Sequence, residues 1–108
     1  MKMIQAVIRT ERFKTVEEAL DKSGYSSLTT TMVMGRGHQK GLQVGSTHYT
    51  TLPKQMVWVV VEDDQVEKAV DIIATAAETG NIGDGKIFVL NVADVIRIRT
   101  RERGASAI

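Results

Sequence analysis

The sequence predicts an α+β fold made of two successive β-α-β units, and three observations point to it. Two segments repeat apolar residues at helical spacing. Four short segments are dominated by β-branched and other apolar residues, which favour strands. In chain order these elements read strand, helix, strand, then strand, helix, strand. A long segment without hydrophobic period, residues 35–52, separates the two halves.

The first half starts with residues 3–9, a short and mostly apolar segment that predicts a buried strand. The apolar residues of segment 13–20 recur every three to four positions, which predicts an amphipathic helix. Gly24 follows where a glycine ends many helices. Residues 26–34 are rich in β-branched side chains, and this composition predicts the second strand.

The second half starts with residues 56–61, a continuous apolar run that predicts a strand buried on both faces. Either Asp63 or Asp64 is placed to cap the next helix. That helix carries its apolar stripe between residues 66 and 77, and Gly80 is suited to end it.

Residues 87–92 predict the fourth strand. Two β-α-β units with right-handed crossovers close into a ferredoxin-like βαββαβ sandwich, in which both helices cover one face of the sheet. The other face also carries apolar residues and needs a cover. Because most soluble oligomers are closed and symmetric, another copy of the same chain is the simplest cover.

Length and composition limit the possible functions. The chain of 108 residues is expected to form one domain, and its formal net charge of +1 predicts neither a nucleic-acid partner nor a membrane surface. The chain has no cysteine, which excludes disulfides and thiolate zinc sites and fits a reducing cytoplasm. No apolar run approaches the ~20 residues that a membrane span needs, and the first residues do not resemble a signal peptide. We therefore expect a cytoplasmic protein without membrane insertion.

A glycine-rich turn joins the second predicted helix to the fourth predicted strand. Residues 79–89 read Thr-Gly-Asn-Ile-Gly-Asp-Gly-Lys-Ile-Phe-Val. The glycines allow positive φ angles and let backbone N–H groups converge on an anion, and Lys86 adds a compact positive charge. The spacing differs from that of the phosphate loop of NTPases. A tight turn without any ligand is the alternative interpretation.

Two arginines near the C-terminus form a second candidate anion site. Arg97 and Arg99 alternate with isoleucines, and strand geometry would place both guanidinium groups on one face. Such a pair suits phosphate oxygens. The alternative is an exposed edge strand that carries charge to prevent pairing with other chains.

Signals for an enzyme are weak. Both histidines, His38 and His48, lie in the long segment and are ten residues apart, without a carboxylate at metal-binding spacing. A solvated loop histidine explains His48 better than a ligand does. The chain contains no Gly-x-Ser-x-Gly motif and no clear pair of nucleophile and base. Long loops in small domains are usually functional or disordered, so an active site in the 35–52 loop stays open as an alternative.

Four motifs, in chain order, carry a resemblance to a known family. They are Gly-x-Gly-x-Gln-x-Gly at residues 35–41, Leu-Pro-Lys at residues 52–54, Thr-Gly-x-x-Gly-Asp-Gly-Lys-Ile-Phe-Val at residues 79–89 and Val-Ile-Arg-Ile-Arg-Thr at residues 95–100. Together they resemble the PII family of nitrogen-regulatory signalling proteins. The resemblance covers essentially the whole chain.

The resemblance implies a single PII-like domain over residues 1–108 that assembles as a trimer. It places a T-loop at residues 35–52, a phosphate loop at residues 80–86 and a C-terminal segment at residues 97–108. It also implies that ATP or ADP binds between adjacent subunits, with Mg²⁺ in the ATP state. The small molecule 2-oxoglutarate would bind at the base of the T-loop.

The site residues follow from the resemblance residue by residue. The nucleotide site would comprise Val7, Thr29, Gly35, Arg36, Gly37, His38, Gln39, Val60, Gly83, Asp84, Gly85, Lys86, Arg97 and Arg99. Among these, residues 83–86 would cradle the phosphates, and the two C-terminal arginines would reach them across the subunit boundary. The 2-oxoglutarate site would comprise Gly37, Gln39, Lys40, Gly41 and Lys54. Gln39 would also help to ligate Mg²⁺.

Three features depart from the family pattern. His38 stands where many members have arginine, and Trp58 stands where they commonly have a glutamate near the nucleotide base. Trp58 either packs as core or stacks on, or occludes, the adenine ring. The T-loop is shorter than in the members that regulate glutamine synthetase. It also lacks their uridylylated tyrosine, because Tyr49 lies at a different position.

The short T-loop resembles that of the NifI subgroup, first of two paralogues, which regulates nitrogenase in archaea and some anaerobic bacteria. We therefore predict a non-catalytic signal transducer that binds ATP or ADP and 2-oxoglutarate and controls dinitrogenase. It would act as a homotrimer or in a mixed oligomer with a paralogue. A GlnK-like regulator of an ammonium transporter is one alternative. A small ferredoxin-like enzyme and a structural oligomer with a decayed ligand site are two more.

Overall fold

The structure is a computed structural model, and it describes residues 1–37, 42–44, 47–49 and 51–108. In chain order the elements are β1 (Lys2–Ile8), a 3-10 turn (Thr10–Arg12), α1 (Phe13–Lys22), β2 (Thr29–Gly35), β3 (Leu42–Val44), β4 (Thr47–Tyr49), β5 (Leu52–Val61), a 3-10 turn (Asp63–Gln65), α2 (Val66–Ala77), β6 (Gly85–Asn91) and a 3-10 turn (Gly104–Ala107). β3 and β4 pair with each other and form a separate two-stranded ladder.

The other four strands form one antiparallel sheet in the order β2-β5-β1-β6. The first strand of each half thus lies in the interior of the sheet, and the second strand of each half lies at an edge. This arrangement of two β-α-β units confirms the predicted ferredoxin-like βαββαβ fold. The register places Val7 of β1 opposite Met56 of β5 and Lys86 of β6, so these three residues lie side by side.

Both helices pack on the same face of this sheet. Alternate residues of β1 and β5 are buried there, and residues at helical spacing on α1 and α2 are buried against them. The core consists of Ile4, Ala6, Ile8, Val16, Leu20, Val57, Val59, Val61, Ala69, Ile73, Ala76 and Ala77. Full burial of each leucine or isoleucine contributes about 1.5–3 kcal/mol to stability. The two apolar stripes predicted from helical spacing are therefore confirmed.

One predicted helix cap is present and another is absent. Gly24 follows α1 with φ +91°, and the Tyr25 amide donates to the Leu20 carbonyl at 2.9 Å, as in a glycine-terminated helix. Neither Asp63 nor Asp64 caps α2 through its side chain. The Asp63 carboxylate instead accepts from the N-terminal ammonium group at 2.8 Å, so the capping prediction is wrong.

The C-terminal end of α2 is held from outside the helix. The helix ends at Ala77, three residues before Gly80, so Gly80 does not terminate it. Arg12 donates from Nε and Nη2 to the Ala76 carbonyl at 3.0 and 2.7 Å. The arginine thus satisfies one of the carbonyls that every helix leaves unpaired at this end. Its positive charge also lies at the end of the helix that favours cations.

The starts of β2 and β5 differ most from the predicted strand boundaries. β2 begins at Thr29 rather than at residue 26, and β5 begins at Leu52 rather than at residue 56. β5 extends toward its N-terminus because β2 pairs with it as far as Gly35, opposite Leu52. Both end residues of the predicted 35–52 loop therefore belong to the sheet, and the ladder of β3 and β4 lies between them.

The sheet face away from the helices is open in the single chain. Strand alternation places Met3, Gln5, Val7, Val33, Met56, Trp58, Val60, Phe88 and Leu90 on this face. Phe88 and Leu90 are 47% and 42% exposed. The prediction that the third strand is buried on both faces is therefore wrong for this chain alone. Trp58 lies on the open face and is half-buried, outside the helix-covered core.

The C-terminal segment after β6 is not a strand. Its only ladder pairing among the described residues is a single bridge between Ile96 and Arg103. The chain turns at residues 98–100. Arg97 and Arg99 therefore do not share one face of a strand, and the alternating pattern misled the prediction because it is also compatible with an irregular segment.

Candidate functional site

A cleft of about 430 Å³ lies at one end of the sheet, between the end of β2 and the turn that leads into β6. This volume is typical of small-molecule sites. Its described lining consists of Val7, Gly35, Arg36, Gly37, Lys54, Ile82, Gly83, Gly85, Lys86 and Phe88. The sequence predicted all of these as site residues except Ile82 and Phe88. Three of the lining residues are cationic and none is acidic, so the cleft suits an anion.

The glycine-rich turn beside the cleft is held by the Asp84 carboxylate. This carboxylate accepts from the Thr79 amide at 2.7 Å, the Thr79 hydroxyl, the Gly80 amide at 2.9 Å and Arg9 Nε at 3.0 Å. These bonds, that of the Thr79 hydroxyl first, hold the pKa of Asp84 well below its usual range. Asp84 does not line the cleft. In the described structure its side chain fixes the turn.

Gly85 allows the turn to meet the sheet closely. It has φ +107°, and a Cβ atom built on it would lie 1.7 Å from the Val7 carbonyl oxygen. Because that neighbour is backbone, no side-chain rotation could relieve the clash. Glycine is therefore required where β6 starts. The next residue, Lys86, pairs with Val7 across the ladder, which places the lysine at the cleft.

Lys54 is the most buried charged group in the described part of the chain. Its residue is 8% exposed, and Nζ donates to the Gly83 carbonyl at 2.5 Å. Burial first, and then the nearby Arg9 guanidinium, lower the pKa of Lys54. A lysine ammonium carries three donor hydrogens, so donors remain for a ligand. The lysine thus joins the floor of the cleft to the glycine-rich turn.

Arg9 is a site residue that the sequence prediction missed. Its Nε donates to Asp84, and its Nη2 donates to the Ile82 carbonyl at 2.9 Å. With Lys54 it forms a pair of cations that both hold the turn. The sequence offers one weak signal, because Arg9 is the first residue after a strand that lies next to the strand of the glycine-rich turn. The contacts themselves span more than seventy positions of the chain.

Four of the remaining predicted residues are described and are not at this cleft within one chain. Thr29 and Val60 lie on the open sheet face, closer to the opposite end of the strands. Arg97 and Arg99 lie in the C-terminal segment and do not line the cleft. The other predicted site residues, His38, Gln39, Lys40 and Gly41, lie outside the described residues.

Arg97 has internal partners. Its Nη1 donates to Glu102 at 3.3 Å, and its Nη2 donates to the Ser106 carbonyl at 3.0 Å. These bonds tie the turn of the C-terminal segment to the residues that follow it. The guanidinium is 38% exposed, so part of it stays accessible.

Within the described ranges, no three histidine, aspartate or glutamate side chains are grouped so as to hold a metal ion. The predicted Mg²⁺ ligand Gln39 is outside those ranges, so its fit to a metal stays a prediction. In the same ranges, no helix has the length and apolar character needed to cross a membrane.

Comparison with known families decides the relationship that the motifs suggested. The family model described as Nitrogen regulatory protein P-II matches residues 1–102. The chain belongs to the P-II family. The match includes the glycine-rich turn, the cleft and the first part of the C-terminal segment.

Several P-II relatives of this chain carry names that refer to nitrogen fixation. The Nitrogen fixation nifHD region GlnB-like protein 1 of Methanothermobacter marburgensis is 45% identical over 104 residues, which cover 96% of this chain and 99% of that protein. The corresponding nifHD2 region protein of Methanosarcina barkeri is 46% identical with the same coverage. The Nitrogen regulatory protein P-II of Bradyrhizobium diazoefficiens is 46% identical over the full length of both chains. The similarity to the nitrogen-fixation subgroup, predicted from the short T-loop, is confirmed.

A solved P-II structure has the same fold. The crystal structure of Arabidopsis thaliana PII bound to citrate aligns with a TM-score of 0.84 and 41% sequence identity, covering 99% of this chain and 91% of that one. The ligand of that protein is a small polycarboxylate.

Proposed function

We propose that this P-II protein is a non-catalytic signal transducer of the NifI kind. It binds ATP or ADP and 2-oxoglutarate, and it controls a partner, dinitrogenase, through the loop at residues 35–52. The observation that carries the proposal is the cationic cleft, in which the glycine-rich turn, Lys86 and the buried Lys54 lie together.

The nucleotide phosphates would lie on the glycine-rich turn. Gly83 and Gly85 have φ +104° and +107°, and such conformations expose backbone N–H groups to an anion. Lys86 and Arg36 would add charge-assisted bonds. Because the Arg9 guanidinium pairs with the Asp84 carboxylate at 3.0 Å, this carboxylate would repel the phosphates less than an unpaired one would. In the ATP state Mg²⁺ would be held by phosphate oxygens and Gln39, and it would neutralise part of their charge.

A trimer would complete the nucleotide site. The open sheet face carries exposed apolar side chains, and an adjacent copy would cover it. The same assembly offers a reason why Thr29, Val60, Arg97 and Arg99 lie away from the cleft of their own chain. They would reach the nucleotide bound by a neighbouring subunit, with Val60 and Thr29 near its base and ribose.

The dicarboxylate would bind at Lys54. A buried ammonium group beside a second cation is stabilised by a dianion, because the ligand offsets both desolvation and like-charge repulsion. The polycarboxylate in the Arabidopsis relative supports this ligand class. Backbone N–H groups of Gly37, Lys40 and Gly41, with Gln39, would complete the site. Lys54 would then divide its donors between the ligand and the Gly83 carbonyl, and this would link the dicarboxylate to the phosphate turn.

The two ligands would act on the partner through the 35–52 loop. The loop leaves the sheet at the end of β2 and returns at the start of β5, and both points border the cleft. A ligand at this base would change which loop conformations are allowed, and a partner that prefers one conformation would in turn change ligand affinity. The similarity to nitrogen-fixation relatives favours dinitrogenase as that partner, with a paralogue in the complex.

Calorimetric titration with ATP tests the site. Lys86→Ala should weaken ATP binding by about one to two orders of magnitude, since a charge-assisted hydrogen bond contributes about 1.5–3 kcal/mol. Lys14→Ala is the matched control, because Lys14 is an exposed lysine on α1 that contacts Glu17. Equal ATP affinity in the Lys86 variant and the wild type would contradict the phosphate role.

Co-purification with dinitrogenase across a 2-oxoglutarate titration tests the output. Dinitrogenase should bind to the wild type at low 2-oxoglutarate and be released by ATP plus 2-oxoglutarate. The Lys54→Ala variant should still bind ATP, but it should not release dinitrogenase when 2-oxoglutarate is added. Association that ignores 2-oxoglutarate would refute the switch. No association even with the paralogue would favour the ammonium transporter as partner. Substrate turnover without a partner would favour the enzyme, and the absence of any ligand binding would favour a structural oligomer.

A further inference from the structure

The sulfur atoms of this chain all belong to methionines, because the sequence contains five methionines and no cysteine. Met32 and Met34 are the most exposed of the five, at 57% and 64%, whereas Met1, Met3 and Met56 are each partly buried. Oxidation of a sulfur atom depends on how well the oxidant can reach it. In the folded chain, a peroxide therefore meets Met32 and Met34 first.

Met32 and Met34 share one face of β2. Strand alternation puts them on the helix side of the sheet, the side on which Val57 of β5 is buried. The helices do not cover them, since no residue of β2 belongs to the core. Met3 and Met56 lie on the open face instead, which the proposed trimer would cover. The assembly would thus protect Met3 and Met56, and Met32 and Met34 lie outside the face that it covers.

The two exposed methionines lie where β2 leads into the 35–52 loop. Met34 precedes Gly35, which is the last residue of the strand and lines the cleft. Opposite Met34 lies Pro53, which has no N–H group to donate to the ladder. β2 is also an edge strand, so the backbone groups on its outer side have no partner within the sheet of the single chain. A change in these side chains therefore acts on a weakly held strand end.

We propose that Met32 and Met34 form a reversible oxidation site, and that their oxidation by a peroxide weakens the binding of a partner through the 35–52 loop. The site itself stands on the exposure and position of the two side chains. The effect on the partner rests on the proposed function, which assigns partner binding to this loop.

Oxidation transfers one oxygen atom to each thioether. The sulfur lone pair attacks one oxygen of hydrogen peroxide, the O–O bond breaks as the S–O bond forms, and the second oxygen leaves as water with both hydrogens. Sulfur loses two electrons, and the peroxide gains them. A dithiol reverses the step, because it is oxidised to a disulfide while the sulfoxide oxygen leaves as water. Reductases for both sulfoxide epimers carry out this reversal.

The sulfoxides would change how the strand end is held. A flexible apolar side chain becomes polar and chiral, and it gains an oxygen that accepts hydrogen bonds. Residues two positions apart on a strand lie about 7 Å apart, so the two new acceptors would both lie near the unpaired N–H groups at the edge of β2. Hydrogen bonds to these groups would displace the strand end. The loop that starts at Gly35 would then leave the sheet from a different position.

Peptide mapping by mass spectrometry, after a timed pulse of dilute hydrogen peroxide, tests the site. In the folded protein, Met32 and Met34 should be oxidised several times faster than Met3 and Met56. In concentrated urea, where the fold protects no side chain, the four rates should become similar. Equal rates for the four methionines in the folded protein would overturn the assignment of the site.

A binding titration with dinitrogenase, after removal of the peroxide, tests the effect on the partner. The paralogue is added unoxidised to every sample. Oxidised wild type should bind roughly tenfold more weakly at low 2-oxoglutarate, and methionine sulfoxide reductases should restore its affinity. The double variant Met32→Leu, Met34→Leu should keep its affinity after the same treatment, because leucine has no sulfur and a similar apolar volume. Met3→Leu is the matched control and should lose affinity as the wild type does.

The outcomes separate this inference from the proposed function. Wild type that is oxidised at both methionines and still binds dinitrogenase with full affinity would overturn the inference and leave the proposed function intact. A peroxide-treated double variant that loses affinity would also overturn it, since another site would then carry the effect. If the unoxidised wild type does not bind dinitrogenase, the proposed function fails, and the inferred effect on the partner fails with it.

Discussion

Replacing Gly85 by alanine should destabilise the protein far more than the same change at a glycine in open space. Gly85 has φ +107°, and an added Cβ would lie 1.7 Å from the Val7 oxygen, 2.8 Å from its carbonyl carbon and 3.3 Å from the Ile8 Cα. Holding alanine at this positive φ costs about 1–2 kcal/mol, and forcing the two strands apart costs about 1–3 kcal/mol. Alanine also stabilises the folded state by about 0.4–1 kcal/mol, because it lowers the conformational entropy of the unfolded chain. The net loss should be about 1–4.6 kcal/mol.

Gly24→Ala provides the matched control. Gly24 has φ +91°, and nothing lies within 4 Å of its built Cβ, so only the cost of the positive φ applies. Its net cost should be about 0–1.6 kcal/mol. Urea denaturation at a fixed protein concentration compares the two variants, since the stability of the proposed trimer would depend on concentration. Equal losses for Gly85→Ala and Gly24→Ala would refute the claim that the close approach of Val7 requires glycine.

Three further outcomes follow from the contacts. Arg12→Met should lower the free energy of unfolding by about 1.5–3 kcal/mol, because the Ala76 carbonyl loses a charged donor; urea denaturation that shows no loss would contradict this cap. Asp84→Asn should be less stable than the wild type at neutral pH. The difference should shrink as pH falls below 3.8, because the stabilisation is complete above the unfolded pKa and is lost progressively as pH falls toward the lowered folded pKa; a difference independent of pH would contradict it. The pKa of Lys54 is lowered from the ordinary 10.5, and a dicarboxylate favours the charged amine. The calorimetric affinity for 2-oxoglutarate should therefore decrease as pH rises through the lowered pKa. Constant affinity from about pH 7 to about pH 10 would count against this role of Lys54.

The helix-covered half of the fold was predictable because one physical pattern determines it. Val16 and Leu20 repeat at helical spacing, and the sheet beneath them alternates, so the sequence shows which side chains are buried. Strand ends were less predictable, because pairing with a neighbour decides them. Leu52 joins β5 because Gly35 of β2 lies opposite it, although the local sequence resembles a loop.

The candidate site was predictable where a motif carried it and unpredictable where distant residues meet. The glycines before Lys86 identified the turn. However, Arg9 and Asp84 are 75 positions apart, and no local pattern shows that the carboxylate holds the turn instead of facing the cleft. The alternation around Arg97 suggested a strand, but its bond to Glu102 accompanies a turn that only tertiary structure defines.

In the proposed function, one cleft couples a nucleotide to a dicarboxylate. Calorimetric titration of the wild-type protein with 2-oxoglutarate, with and without saturating Mg²⁺ and ATP, tests it most directly. Since Lys54 contacts the glycine-rich turn, ATP should raise the affinity for 2-oxoglutarate by roughly 5- to 150-fold, the usual range for coupled sites. Equal affinity for 2-oxoglutarate with and without ATP would contradict the claim.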